Sequence, residues 1–209
     1  MNKLVVASGN PGKLRELAGL LEPLGIEIMP QDLLGICEAE EPHDTFVENA
    51  LAKARHVARA CGLPALADDS GICVHALGGA PGTQSARYAG APRSDTRNNE
   101  KLLSVLAGVT DRRAHFYCVI VLMRHGADPQ PLIAEGEWHG EILRVPRGSG
   151  GFGYDPLFHV PELGLTSAEL PLDRKNAVSH RGRALARLLE RMHRTKRALD
   201  DPSSLVRSS

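Results

Sequence analysis

The spacing of apolar residues along the chain predicts its elements. Leu4 to Ala7 form a short continuous apolar run, which reads as a buried strand. It stops at Ser8-Gly9-Asn10-Pro11-Gly12-Lys13, where a helix starts: Asn10 suits an N-cap and Pro11 the first helical position. Leu14, Leu17, Leu20 and Leu21 then fall on one face, with Lys13 and Glu16 off it. A second helix is predicted from Thr45, because Thr45 and Glu48 have capping-box spacing. Its apolar stripe is Phe46, Val47, Ala50, Leu51, Ala54, Val57 and Ala58, and Gly62 and Pro64 end it. A strand, Ala65-Leu66-Ala67, leads to Asp68-Asp69-Ser70-Gly71, which reads as a turn, and the apolar pattern resumes from Ile72 to Leu77.

Residues 78–93 are rich in glycine and proline and read as a loop. A helix is expected over 96–106, then two strand-like runs over 115–123 and 132–143, separated by Gly126 and Asp128-Pro129. Residues 146–156 form a second glycine-rich loop, 157–160 a short strand and 176–193 a final helix. Arg183, Arg187, Arg191 and Arg194 recur along that helix and read as a solvated face. Residues 1–194 are expected to form a single domain, with 195–209 a polar, disordered tail. Helices and strands are mixed throughout, so the class is α/β or α+β around a central mixed sheet.

Composition narrows the function classes. The chain has 209 residues, 42% hydrophobic, enough for a core that needs no disulfides. Its 25 basic and 25 acidic side chains balance, which argues against a polyanion-binding surface and so against nucleic acid as a partner. No apolar run approaches the ~20 residues that span a bilayer, and no export signal is read, so a cytoplasmic location without membrane contact is expected. Cys37, Cys61, Cys73 and Cys118 form no C-x-x-C pair and read as structural thiols.

Three constellations carry chemistry. Small residues between strand and helix, a helix N-terminus and Lys13 make residues 8–13 a phosphate site; the glycine spacing and Leu14 rule out a Walker A loop. Without substrate the same segment is a plain capped helix. Asp68 and Asp69 are adjacent acids, which suits Mg²⁺ held beside phosphates, or else an acidic turn bonded to its own backbone. Glu38, Glu40 and Glu41 could add a further carboxylate. Phe152 and Tyr154 stand among Gly148, Gly150, Gly151 and Gly153, where Phe152 could stack on a flat ring or anchor the loop in the core. Lys175, His180 and Arg181 form a cationic segment entering the last helix, able to neutralise phosphates or donate to a base oxygen.

These segments together resemble the inosine/xanthosine triphosphate pyrophosphatases, enzymes that remove non-standard purine nucleotides. The resemblance rests on Ser8-Gly9-Asn10-Pro11-Gly12-Lys13, Thr45-Phe46-Val47-Glu48-Asn49-Ala50, residues 67–71, 78–82 and 85–88, Gly151-Phe152-Gly153-Tyr154-Asp155-Pro156, and Ser179-His180-Arg181-Gly182. It spans residues 1–194, with His43 standing where the family often has glycine. It implies an elongated α/β fold with a mixed central sheet flanked by helices, two lobes with the active cleft between them, and a homodimer. It implies Mg²⁺-dependent hydrolysis of a nucleoside triphosphate such as ITP, dITP or XTP to the monophosphate and pyrophosphate. Ser8, Gly9, Asn10, Pro11, Gly12 and Lys13 would hold phosphates, and Asp69 would act as general base and metal ligand. Glu40 or Glu41 would supply another metal ligand; Ser70, Phe152, Gly153, Tyr154, Asp155, Lys175, His180 and Arg181 would contact substrate. Two other readings stand beside it: a septum-formation-inhibitor-like pyrophosphatase acting on pyrimidine or other nucleotides, and a nucleotide-binding regulatory module without catalysis.

Overall fold

The computed structural model of the protein describes residues 3–200, with 195–200 described by their backbone alone. Seven strands make one sheet in the order β2-β1-β3-β4-β5-β6-β7. They are β1 (Lys3–Val6), β2 (Glu27–Pro30), β3 (Ala65–Val74), β4 (Arg113–Met123), β5 (Leu132–Ile142), β6 (Phe158–Val160) and β7 (Leu165–Thr166). β1 runs parallel to β2 and β3, and every other pairing is antiparallel, so the sheet is mixed. The helices are α1 (Pro11–Leu21), α2 (Phe46–Cys61), α3 (Asp95–Val105), α4 (Leu172–Val178) and α5 (His180–Asp200). Among the described residues no helix is long and apolar enough to cross a membrane.

Strand alternation divides the core. Leu4, Val6, Leu66, Ile120 and Leu122 face α1 and α5, where Leu17, Leu21, Leu185 and Leu188 cover them. Val5, Ala67, Val119 and Val121 face the opposite way and meet Ala50, Ala54, Val57 and Ala58 of α2. A third cluster fills the far end of the sheet, where Ile72, Phe116, Trp138 and Phe158 pack with Leu102 and Leu106 from the α3 segment. The cleft lies between this end and the first two clusters. α5 rests directly on Gly136: a Cβ there would collide with the His180 carbonyl oxygen, so only glycine lets helix and strand come this close.

The expected helix starts are present. Asn10 Oδ1 accepts from the amides of Gly12 (2.9 Å) and Lys13 (3.3 Å), and Thr45 caps α2 through the Glu48 amide. His43 replaces the glycine common in the family without strain, since no described non-glycine residue has a positive φ. Its amide donates to Asn49 Oδ1 and its carbonyl accepts from Asn49 Nδ2, which ties the loop to α2.

Four expectations are corrected. Asp68 to Gly71 are not a turn: β3 runs unbroken through them, paired with β4 at every position from Ala65 to Val74. The last helix is two helices, because Ser179 adopts an extended conformation between α4 and α5. α5 continues to Asp200, into the segment expected to be a disordered tail, while residues 201–209 lie outside the described residues. The arginines of α5 do more than face solvent. β6 covers β5 only at Glu141 and Ile142, and Arg183 and Arg187 donate to the otherwise uncovered carbonyls of Glu137 (2.8 Å) and Glu135 (2.7 Å), with Arg191 on Ile133. Four helical residues rise about 6 Å. Two strand residues rise about 6.8 Å, so the two spacings match and the arginine row seals a strand edge.

Candidate active site

Because successive strand residues point to opposite faces, Asp68 and Asp69 enter different surroundings. Asp68 turns toward α1 and α5. It is fully buried, 3.1 Å from Lys13 Nζ, and accepts from Arg181 Nη2 at 2.9 Å and Nε at 3.2 Å. Burial alone would raise its pKa, but Lys13, Arg181 and Lys53 outweigh that and hold it far below the carboxylate range. Arg181, itself buried, also pairs with Glu16 and donates to Ser70 Oγ at 2.8 Å. Glu16 in turn holds Lys175 Nζ at 2.7 Å, and Lys175 reaches Asp155. One chain of alternating charge therefore runs from Lys13 through Asp68, Arg181, Glu16 and Lys175 to Asp155.

Asp69 turns toward α2, where Lys53 Nζ stands 2.8 Å from its Oδ1 and 2.6 Å from Glu41 Oε1. Glu41 is also held by Arg87 at 2.6 Å. Burial raises the Asp69 pKa, and Lys53 and Lys13 only partly offset it. A carboxylate raised in this way, in a cleft, suits proton acceptance better than an exposed one. Glu40 lines the same cleft, is exposed, and makes no ion pair among the described residues.

Residues 8–13 form the cleft wall beside these acids. The amides of Asn10, Gly12 and Lys13 are already taken by Ser8 Oγ and Asn10 Oδ1, so the expected backbone cradle is partly self-satisfied. Lys13 and the buried Asn10 Nδ2, which has no partner among the described residues, are left to meet an anion. An unpaired buried amide is costly, and an arriving phosphate oxygen would relieve it.

The glycine-rich loop divides into a wall and an anchor. Phe152 lies half-buried with its ring against Gly12, where a Cβ would come within 2.5 Å of it, and with Lys175 5.0 Å and Arg181 5.8 Å from its centroid. Tyr154 and Asp155 are buried and spent on structure: Tyr154 donates to the Ser85 carbonyl at 2.8 Å, and Asp155 accepts from the Phe152 amide (2.8 Å) and Ser167 (2.7 Å). Gly153 is clamped from α3, its amide on Asp95 (2.7 Å) and its carbonyl on Asn99 (2.9 Å). His180 stacks on Phe116, with centroids 4.7 Å apart at 11°. Burial, Arg181 and Lys175 push its pKa well below the ordinary value, so the ring is neutral at pH 7, and its Nδ1 is buried and has no partner among the described residues.

Lys53, Glu16 and Asp95 escape a reading by motif. Lys53 does carry a signal: it falls between Ala50, Ala54 and Val57 in the apolar stripe of α2, where a charge must find a buried partner. Glu16 carries no such signal, since it lies off the leucine face of α1, yet the fold buries it. Asp95 carries none, because its partner is a backbone amide far away in the chain.

A mixed sheet that gathers a raised carboxylate, a lysine pair and a capped helix start in one cleft defines an α/β enzyme built to hold an anionic substrate beside a proton acceptor. The chain belongs to the Ham1 family, whose model matches residues 4–191. A dITP/XTP pyrophosphatase from Nitrosomonas europaea is 66% identical over 190 residues, covering 91% of this chain and 94% of that protein. One from Ralstonia nicotianae is 64% identical over 195 residues, covering 92% and 97%. The structure of a HAM1 protein from Coxiella burnetii superposes with a TM-score of 0.85 at 49% identity, covering 93% of this chain and all of that one. The Staphylococcus aureus Ham1 structure gives 0.81 at 40% identity, with coverage of 92% and 99%.

Proposed function

We propose that this chain hydrolyses non-standard purine nucleoside triphosphates of the dITP and XTP class to the monophosphate and pyrophosphate. The observation that carries the proposal is the placement of Asp69, raised in pKa and held by Lys53, in the same cleft as Lys13 and the unpaired Asn10 amide. The names of the relatives support the substrate class. ³¹P NMR of ITP turnover tests the bond cleaved: IMP with pyrophosphate is expected, whereas IDP with orthophosphate contradicts the proposal.

Phosphoanhydride hydrolysis asks a site for positioning and charge neutralisation more than for a covalent nucleophile. Lys13 and Asn10 bind and orient the phosphate chain. Asp69 takes the proton of the attacking water, and Lys53 fixes the carboxylate from the side of α2. Phe152 offers a flat face to the base, and neutral His180, stacked on Phe116, presents an unpaired nitrogen to the edge that distinguishes an oxo from an amino purine.

The donors fit Mg²⁺, which takes one or two carboxylates and completes its shell with phosphate oxygens. Asp69 and Glu40 would hold it. Glu41 has already given its charge to Lys53 and Arg87, whereas Glu40 has no ion-pair partner among the described residues. When bound, the ion neutralises phosphate charge. Glu40→Gln is expected to raise the Mg²⁺ concentration for half-maximal rate by about tenfold or more. A metal titration of the activity checks this, and an unchanged midpoint removes Glu40 from the site.

Lys13→Ala is expected to act mainly on KM. A hydrogen bond to a charged group contributes about 1.5–3 kcal/mol, roughly tenfold to hundredfold in KM. Steady-state kinetics check it, and unchanged kinetics return Lys13 to a purely structural partner of Asp68. A single unit over residues 1–194, a homodimer and a cytoplasmic location belong to the same proposal. The four free thiols suit a reducing compartment, and light scattering of the purified chain tests the dimer.

A further inference from the structure

β3, β4 and β5 carry a rung of metal-ligating side chains on the face that α2 covers nearer the other end of the sheet. Register pairs Cys73 with His115 and His115 with His139, so the three share that face. His75 follows β3, and its Nε2 lies 3.4 Å from His115 Nδ1. Two imidazole lone pairs cannot face each other unless a proton or a cation stands between them. Two nitrogens bound to one tetrahedral ion at roughly 2.0–2.1 Å stand about 3.4 Å apart, which is the spacing of this pair.

The third ring is prepared independently. His139 lies 5.4 Å from His115, centroid to centroid, and its Nε2 is 3.0 Å from Glu137 Oε2. An ionised carboxylate only accepts, so Nε2 carries the proton and Nδ1 keeps a lone pair. A carboxylate behind the far nitrogen is the usual partner of a metal-ligating histidine. We propose that His75, His115 and His139 form a second metal site, for a borderline divalent transition ion of the Zn²⁺ class, separate from the oxygen donors around Asp69. Among the described residues no three donors already converge on one point. His75 and His115 hold the ligand spacing, and exposed His139 completes the set by turning with exposed Glu137. Nitrogen donors favour Zn²⁺, Ni²⁺ or Cu²⁺ over Mg²⁺, so the two sites select different ions. An ion here ties β4 to its neighbours and stabilises the folded state by mass action.

The test is calorimetric titration of the full chain with ZnCl₂ in excess Mg²⁺, which occupies the cleft carboxylates, together with thermal melts. The wild type is expected to bind one equivalent and to melt higher with Zn²⁺. His75→Ala and His115→Ala should each weaken binding by about tenfold or more and abolish the rise in Tm. His125→Ala, beyond the far end of β4, should behave as wild type. Absence of saturable binding by the wild type overturns the proposal. So does binding by both His75→Ala and His115→Ala within about twofold of it.

Discussion

Asp69→Asn is expected to lower kcat by about 10³-fold or more while leaving the protein folded. General-base catalysis alone contributes about 10²–10⁴-fold, and the substitution also removes a carboxylate from the metal-binding pair. Asparagine keeps the shape and can still accept from Lys53, which retains Glu41 as its counter-charge. The sign of the stability effect follows from the pKa. A carboxyl raised above its unfolded value by burial is more easily ionised in the unfolded chain, so neutralising it does not weaken the fold. Its neighbour behaves oppositely. Asp68 is held far below the ordinary carboxylate range once Lys13, Arg181 and Lys53 outweigh burial. Its contribution to stability is present above about pH 4, the unfolded value, and is lost as pH falls toward the folded pKa. Pyrophosphate-release kinetics and thermal melts on Asp69→Asn and Asp68→Asn separate the two roles: Asp69→Asn should lose turnover at unchanged Tm, and Asp68→Asn should lose Tm. Undiminished turnover by folded Asp69→Asn ends the proposed chemistry.

Arg181→Ala is expected to destabilise the fold by about 3–5 kcal/mol, the cost of leaving buried charges uncompensated. For a chain of this size that lowers Tm by about 6–20 °C. The guanidinium satisfies Asp68, Ser70 and Glu16 at once, and its side chain is 1% exposed. Arg181→Lys keeps the charge but loses the fork that reaches all three, so an intermediate Tm is expected. Differential scanning calorimetry checks both variants. A Tm within a degree or two of wild type for Arg181→Ala would mean that the network does not hold α5 to the sheet. The sequence pattern suggested Arg181 as a direct reader of the base. In the fold its guanidinium is paired with Asp68, Glu16 and Ser70 while it lines the cleft, beside Lys13, which shares Asp68 with it.

Helices α1 and α2 were legible because their caps and apolar stripes are local, and each cap is found where its residues predict. The class of fold followed from the mixture of strands and helices. β3 was not legible through Asp68-Asp69-Ser70-Gly71, whose residues other than Ser70 are depleted in strands and whose local chemistry suits a turn. Long-range partners override that preference: β4 pairs along the whole strand, and cations from α1, α2 and α5 neutralise the two acids. β2 and β7 are short edge strands of four and two residues, too brief for a period to register. Within the candidate site, Lys13 and Asp69 could be picked out as chemical residues from local context. Lys53 required the further step of asking why a charge interrupts an apolar stripe, whereas Glu16, off the leucine face of α1, gave no such signal. The clamp on Gly153 is invisible in sequence, since Asp95 meets a backbone amide that any residue would provide.

Hydrolysis of non-standard purine triphosphates in this cleft is open to a direct assay. Its most direct test is pyrophosphate release by the purified chain with Mg²⁺ across ITP, dITP, XTP, ATP, GTP, UTP and dTTP, with an EDTA control. kcat/KM for the first three is expected to exceed that for ATP by about 10²-fold or more, and EDTA is expected to abolish the activity. Preference for UTP or dTTP, or no metal-dependent release from ITP, would contradict it.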